Sequence, residues 1–302
     1  MNLRIALALL SVTLAGCANF RAVSEFAQQT SKVTGVVRAE FVQLDVLCKE
    51  QAELSIVIND IKDEQPLKTC QAYRATQGRL AVVTLDVLDG YAQALGALAD
   101  KRNFDLSADI DTLGGQVQSL RDGAGNPVVS SAEVTALTKI VEVLADIVTE
   151  ARREAAVKRL VQEKPDLVVT GRILRSFFVV DPSAPPGRAK APYTNLVGLA
   201  VDDLNSSERI LRSKPFQAAE PIRTVELLRG MRSRKAQLEM RSGSSAEKVP
   251  VAIVAAIDAW LHALDEFSDR ALKPDPKEFI DRIKDVRSKA NAARDALRAA
   301  ND

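Results

Sequence analysis

Histidine is almost missing from these 302 residues: His262 is the only one, and with three cysteines it leaves little material for a metal centre. An excess of one charge is missing as well. Lys+Arg 41 against Asp+Glu 40 leaves +1, so no global field recruits nucleic acid or an acidic substrate. Aromatic residues make up only 4%, which points to a core of Leu, Val and Ala. Behind the N-terminus two apolar runs stand out, and both fall short of crossing a bilayer. Residues 167–180 are interrupted by Arg172 and Arg175, and residues 249–261 are too few. A charged fraction of 27% excludes a polytopic membrane protein, while 46% hydrophobic residues exclude a chain disordered throughout.

The N-terminus is informative. Arg4 provides a positive start, residues 5–14 are apolar except for Ser11 and Thr13, and Leu14-Ala15-Gly16-Cys17 follows where a cleavage site belongs. This run resembles the lipobox of bacterial lipoproteins. The resemblance implies cleavage between Gly16 and Cys17, thioether lipidation of Cys17 and acylation of the new N-terminus. Several acyl chains make a firm anchor, because each buried methylene adds about 0.8 kcal/mol and one chain alone holds only marginally. Ala18 follows the cysteine, and under the enteric sorting rule the resemblance implies the inner leaflet of the outer membrane, facing the periplasm. Removing residues 1–16 takes Arg4 away and leaves 40 basic against 40 acidic residues.

Export would place Cys48 and Cys70 in an oxidising compartment, where two thiols usually pair. A disulfide needs Cα atoms within about 7 Å. If the first helix ran unbroken to Lys62 and turned at Pro66, Cys48 would lie about 21 Å from the turn and Cys70 only about 6 Å beyond it. The two would miss by roughly 15 Å. The expectation is therefore a disulfide, with the first helix breaking near Glu50 and residues 51–65 folding back. The alternative is two reduced, buried thiols in a continuous hairpin.

Helical periodicity dominates the rest. Apolar residues recur near every 3.6 positions at Val23, Phe26, Val33, Val37, Phe41, Leu44 and Cys48. A second helix opens near Pro66 and carries Leu80, Val83, Leu88, Tyr91, Leu95 and Leu98. Residues 107–120 form a shorter piece, and Ser130-x-x-Glu133 reads as a capping box opening a long helix towards Lys164. Residues 167–180 read as a buried helix. Further helices are expected at 195–204, from Asn205, at 221–240, at 249–272 and from a cap at Asp275 and Pro276 to the C-terminus. The predicted fold is all-α, a bundle of long antiparallel amphipathic helices. Its predicted divisions are a signal peptide at 1–16, an N-terminal bundle at 17–180, a linker or loop at 181–192 with four prolines, and C-terminal helices at 193–302 packed on the same bundle.

No catalytic constellation emerges. His262 has no second histidine and no adjacent nucleophile. Ser245-x-x-Lys248 matches one motif of penicillin-recognising enzymes but lacks its companions, so a helix cap is the better reading. Neither a cofactor nor a metal is called for. The most suggestive patch is basic: Arg223, Arg229, Arg232, Arg234, Lys235 and Arg241 outnumber Glu226 and Glu239. It is a candidate contact for an anionic surface, or else a solvated face paired with acidic residues elsewhere. The functional expectation is a non-enzymatic scaffold or binding module held at the envelope through lipidated Cys17. Its partner would be another envelope protein or a cell-wall component, and not nucleic acid. The alternative is a small-ligand carrier or enzyme with a site between helices.

Overall fold

The computed structural model describes residues 2–59, 65–100, 107–121, 128–148, 153–188, 190–213, 221–242, 248–270 and 277–301. Within these, side chains are described except at 2–19, 57–59, 107–108, 121, 148, 213, 221–224 and 268–270. Among the described residues the fold is an all-α helical bundle without strands. Helix α1 is Asn2–Asn59, α2 is Gln65–Tyr73, and a π-helical segment, Arg74–Gly78, joins α2 to α3, Arg79–Asp100. Then come α4 (Ser107–Arg121), α5 (Ser131–Val148), α6 (Arg153–Gln162), α7 (Lys164–Ser176) and α8 (Pro192–Ser213). The last three are α9 (Pro221–Arg241), α10 (Val249–Arg270) and α11 (Lys277–Asn301).

Helix α1 is the spine. It packs against α2, α3, α8, α10 and α11, because its apolar stripe is continuous: Val23, Phe26, Val33, Val37, Phe41 and Leu44 are all buried. Helix α3 runs antiparallel to it. Ala27 lies beside Gly96, Arg38 bonds Asp89, and Arg74 bonds Asp45, so numbers fall along one helix as they rise along the other. Near its start, Phe26 stacks on Phe267 with ring centroids 4.6 Å apart, and Trp260 Nε1 donates to Thr30 Oγ1 at 2.9 Å. The approach of α7 to α10 requires glycine at Gly171. A Cβ there would come within 2.7 Å of Leu261 and 2.8 Å of Trp260. Residues 65–100 are long and apolar enough to cross a membrane by composition, but the relevant window is 72% buried within the bundle.

Several local expectations appear in the structure. Glu133 N donates to Ser130 Oγ at 3.3 Å and Ser130 N donates to the Glu133 carboxylate at 2.8 Å, the reciprocal pair of a capping box. The helix expected over 167–180 is present as far as Ser176, in α7; residues 177–180 leave it, with Phe177 and Phe178 buried and Val180 exposed. Others are corrected. The expected long helix from Ser130 is two described helices, α5 and α6, and Pro165 opens α7 in its first turn rather than following α6. The helices expected at 195–204 and from Asn205 are one, α8. Val197, Leu204 and Leu211 are buried at seven-residue intervals, and Asn205 lies within this helix rather than opening a new one. The caps expected at Ser245 and Asp275 lie outside the described residues.

The prolines of 181–192 mark a loop that is packed onto the bundle at one residue above all. Arg188 is fully buried, and its guanidinium ties three elements together. Nε donates to the Val128 carbonyl at 2.8 Å, Nη1 to Ser176 Oγ at 2.7 Å, and Nη2 to Glu133, the capping-box carboxylate. An arginine suits this place because its planar fork donates in several directions at once.

Candidate functional site

Cys48 and Cys70 form a disulfide, with Cα atoms 5.9 Å apart. The break expected near Glu50 is absent, since α1 continues to Asn59. What fails is the assumption of a tight turn at Pro66. Cys48 lies about 16 Å before the end of α1 and Cys70 about 7 Å into α2. The chain from Asn59 to Gln65 can reach roughly 20 Å, enough for α2 to begin well back along α1. Helix and disulfide therefore coexist.

Gly16 and Cys17 lie within the helical backbone of α1, and their side chains are outside the described residues, as is that of Arg223. The basic helix α9 is not a single cationic face. Arg229 and Arg232 are exposed, whereas Arg234 Nε lies 3.3 Å from Glu50 on α1. The carboxylate of Glu208 on α8 is held below the usual range, chiefly by its hydrogen bond from Arg212, with Lys235 and Arg232 adding to the effect. Arg241 does not belong to a surface contact at all: it is fully buried. Its Nε donates to Glu40 Oε1 at 2.9 Å, Nη1 to the Ala300 carbonyl at 3.2 Å and Nη2 to Asn301 Oδ1 at 2.7 Å. Tyr193 OH donates to the same Glu40 oxygen. Glu40 too is fully buried, and burial raises its carboxyl pKa against the pull of Arg241 and Tyr193.

A groove opens beside this cluster. The π-helical segment adds a residue to one turn and presents small residues, Ala75 and Gly78, as a wall. Phe41 and Val42 of α1, Val82 and Val83 of α3, and Gln116 of α4 complete a predominantly apolar groove of about 670 Å³. Val42 is 61% exposed and Val82 42%; Val46, one turn beyond Val42, is 39% exposed. Arginines ring the mouth. Arg74 Nε donates to Asp45 at 2.8 Å, and Arg38 lies 2.8 Å from Asp86 and 2.7 Å from Asp89. Arg79 is exposed and has no ion pair among the described residues. Asp45 sits below the usual carboxylate range: partial burial acts upward, but the hydrogen bond and charge of Arg74 outweigh it, helped by Lys49. At the back wall, Tyr73 turns a buried hydroxyl with no hydrogen-bond partner away from water, and burial and the nearby Glu40 raise its pKa.

Apolar walls and exposed valines are features suited to binding. They do not by themselves move protons or bonds. The lone imidazole, His262, is exposed on α10, and among the described residues no three His, Cys, Asp or Glu side chains are grouped to hold a metal ion. Sequence reasoning missed Glu40, Arg188 and the groove. Glu40 alone carried a signal: it is a carboxylate on the apolar stripe, three residues after Val37 and four before Leu44. Comparison with family models, with characterised proteins and with solved structures finds no match for this chain, so its function has to be argued from this geometry.

Proposed function

We propose that this chain is a lipid-anchored helical lipoprotein of the bacterial outer membrane, facing the periplasm, that acts as a non-enzymatic binding module of the cell envelope. The observation that carries the reading is the groove between α1, α3 and α4, where Val42 and Val82 are exposed beside Arg79. Exposed large apolar side chains gathered at a concave site mark interaction surfaces. Arg79, exposed at the rim and without an ion pair among the described residues, favours a partner that sets an acidic residue beside its apolar face.

The anchor and the groove share one rigid element. Among the described side chains, core packing begins at Phe20, three residues after Cys17, so no long linker separates lipid from bundle. Val42 lies 25 residues from Cys17 on the same helix, about 37 Å at 1.5 Å per residue. The module therefore presents its groove at a limited distance from the bilayer. A second reading, a carrier of a small amphiphile with an anionic head, is favoured by the groove's volume, which falls in the range of ligand pockets.

Photo-crosslinking from Val42 in intact cells tests the reading. The anchored protein is expected to yield one discrete adduct with an envelope protein or wall fragment, lost in Cys17→Ala and in Val82→Glu. Adducts unchanged by Val82→Glu would contradict the groove as the docking face. Crosslinks only to a small amphiphile would favour the carrier.

A further inference from the structure

A second cleft lies between α1, α2, α8 and α9, next to the disulfide, with a volume of about 410 Å³. Its walls are Leu44, Leu47, Leu196, Leu199 and Leu238, and Leu199 is 52% exposed. Among these leucines sits Gln51. It is 4% exposed, and neither Nε2 nor Oε1 has a hydrogen-bond partner. Buried amides are almost always satisfied, so an orphaned donor and acceptor on one side chain demand explanation.

We propose that this cleft binds an extended apolar peptide segment, and that the Gln51 side-chain amide hydrogen-bonds the backbone C=O and N–H of one residue of that segment. The chemistry selects the ligand. Gln51 needs an acceptor for its N–H and a donor for its carbonyl, and one residue of an extended chain offers both, its C=O and N–H pointing to the same side. An acyl chain offers neither. A carboxylate or phosphate offers acceptors only, and the single charged residue lining the cleft is Asp203, an acid. Leucines on three helices provide pockets for the segment's apolar side chains, in the manner of other extended-peptide sites. This site is separate from the groove at Val42 and does not depend on the lipid anchor.

The test uses the full chain carrying Cys17→Ala, selectively ¹⁵N-labelled at glutamine, and the blocked tripeptide N-acetyl-Val-Leu-Val-amide as probe. The Gln51 side-chain resonance is assigned by its loss in Gln51→Leu. Addition of the tripeptide is expected to shift that resonance saturably, and laurate is not. Gln51→Leu keeps the cleft's volume and apolar walls, so it is expected to weaken the tripeptide about tenfold, the worth of two neutral hydrogen bonds. Leu199→Glu, at an exposed position, is expected to abolish binding while leaving the fold intact. Three results would overturn the proposal: no shift at Gln51, equal affinity in Gln51→Leu, or an amide that contacts only a bound water with and without the tripeptide.

Discussion

Arg241→Ala is expected to lower the free energy of unfolding by about 3–5 kcal/mol, the usual loss when one member of a buried ion pair is removed. Both Arg241 and Glu40 are fully buried, so the variant leaves a carboxyl in the core with Tyr193 as its remaining hydrogen-bond donor among the described residues. The guanidinium also donates to Ala300 and Asn301, where its charge meets the negative end of α11. One side chain therefore ties the start, middle and end of the chain together. Urea denaturation with an unchanged slope would report the loss as stability alone. The double variant Glu40→Met/Arg241→Met separates two causes. If the orphaned charge dominates, the pair of methionines recovers most of the loss. If the double variant is as unstable as Arg241→Ala, the hydrogen bonds to α11 carry the energy instead.

Replacing Cys48 and Cys70 together by alanine is expected to cost about 3 kcal/mol. The bridge closes a separation of 22 residues, and restricting a loop of that size in the unfolded chain is worth about that much. Cys70 is buried against α1, so the loss would also loosen α2 where it lines the Gln51 cleft. Denaturation with and without reductant checks the figure. Alkylation of the unfolded protein should reach both cysteines only after reduction. A variant as stable as the parent would show that contacts between α1 and α2 suffice without the bond.

Much of the helical order was legible because burial of one face leaves a periodic trace. The stripe from Val23 to Leu44 is buried in α1, and the Ser130–Glu133 capping box closes as its spacing implied. The misreadings share a cause, since each depends on partners far away in sequence. Arg241 sits in a run of arginines and reads as surface, yet its acidic partner is 201 residues away. Arg188 follows a cluster of prolines and reads as part of a linker, yet it reaches back 55 residues to Glu133. The groove was invisible because a π-helical turn leaves no compositional mark. Two polar residues did leave one. Glu40 and Gln51 both fall on the apolar stripe of α1, and a polar residue there promises either a buried partner or a binding role. Glu40 found its partner inside the chain. Gln51 did not.

The central claim, a binding module fixed to the membrane through one cysteine, is tested most directly by fractionating cells that express the parent and the Cys17→Ala variant, with mass spectrometry of the mature N-terminal peptide. The parent is expected to sediment with the outer membrane and to begin at a Cys17 carrying acyl chains. Cys17→Ala, folded and with its disulfide intact, is expected in the soluble periplasm. An unmodified Cys17, or a Cys17→Ala protein that remains in the membrane fraction, would contradict the claim.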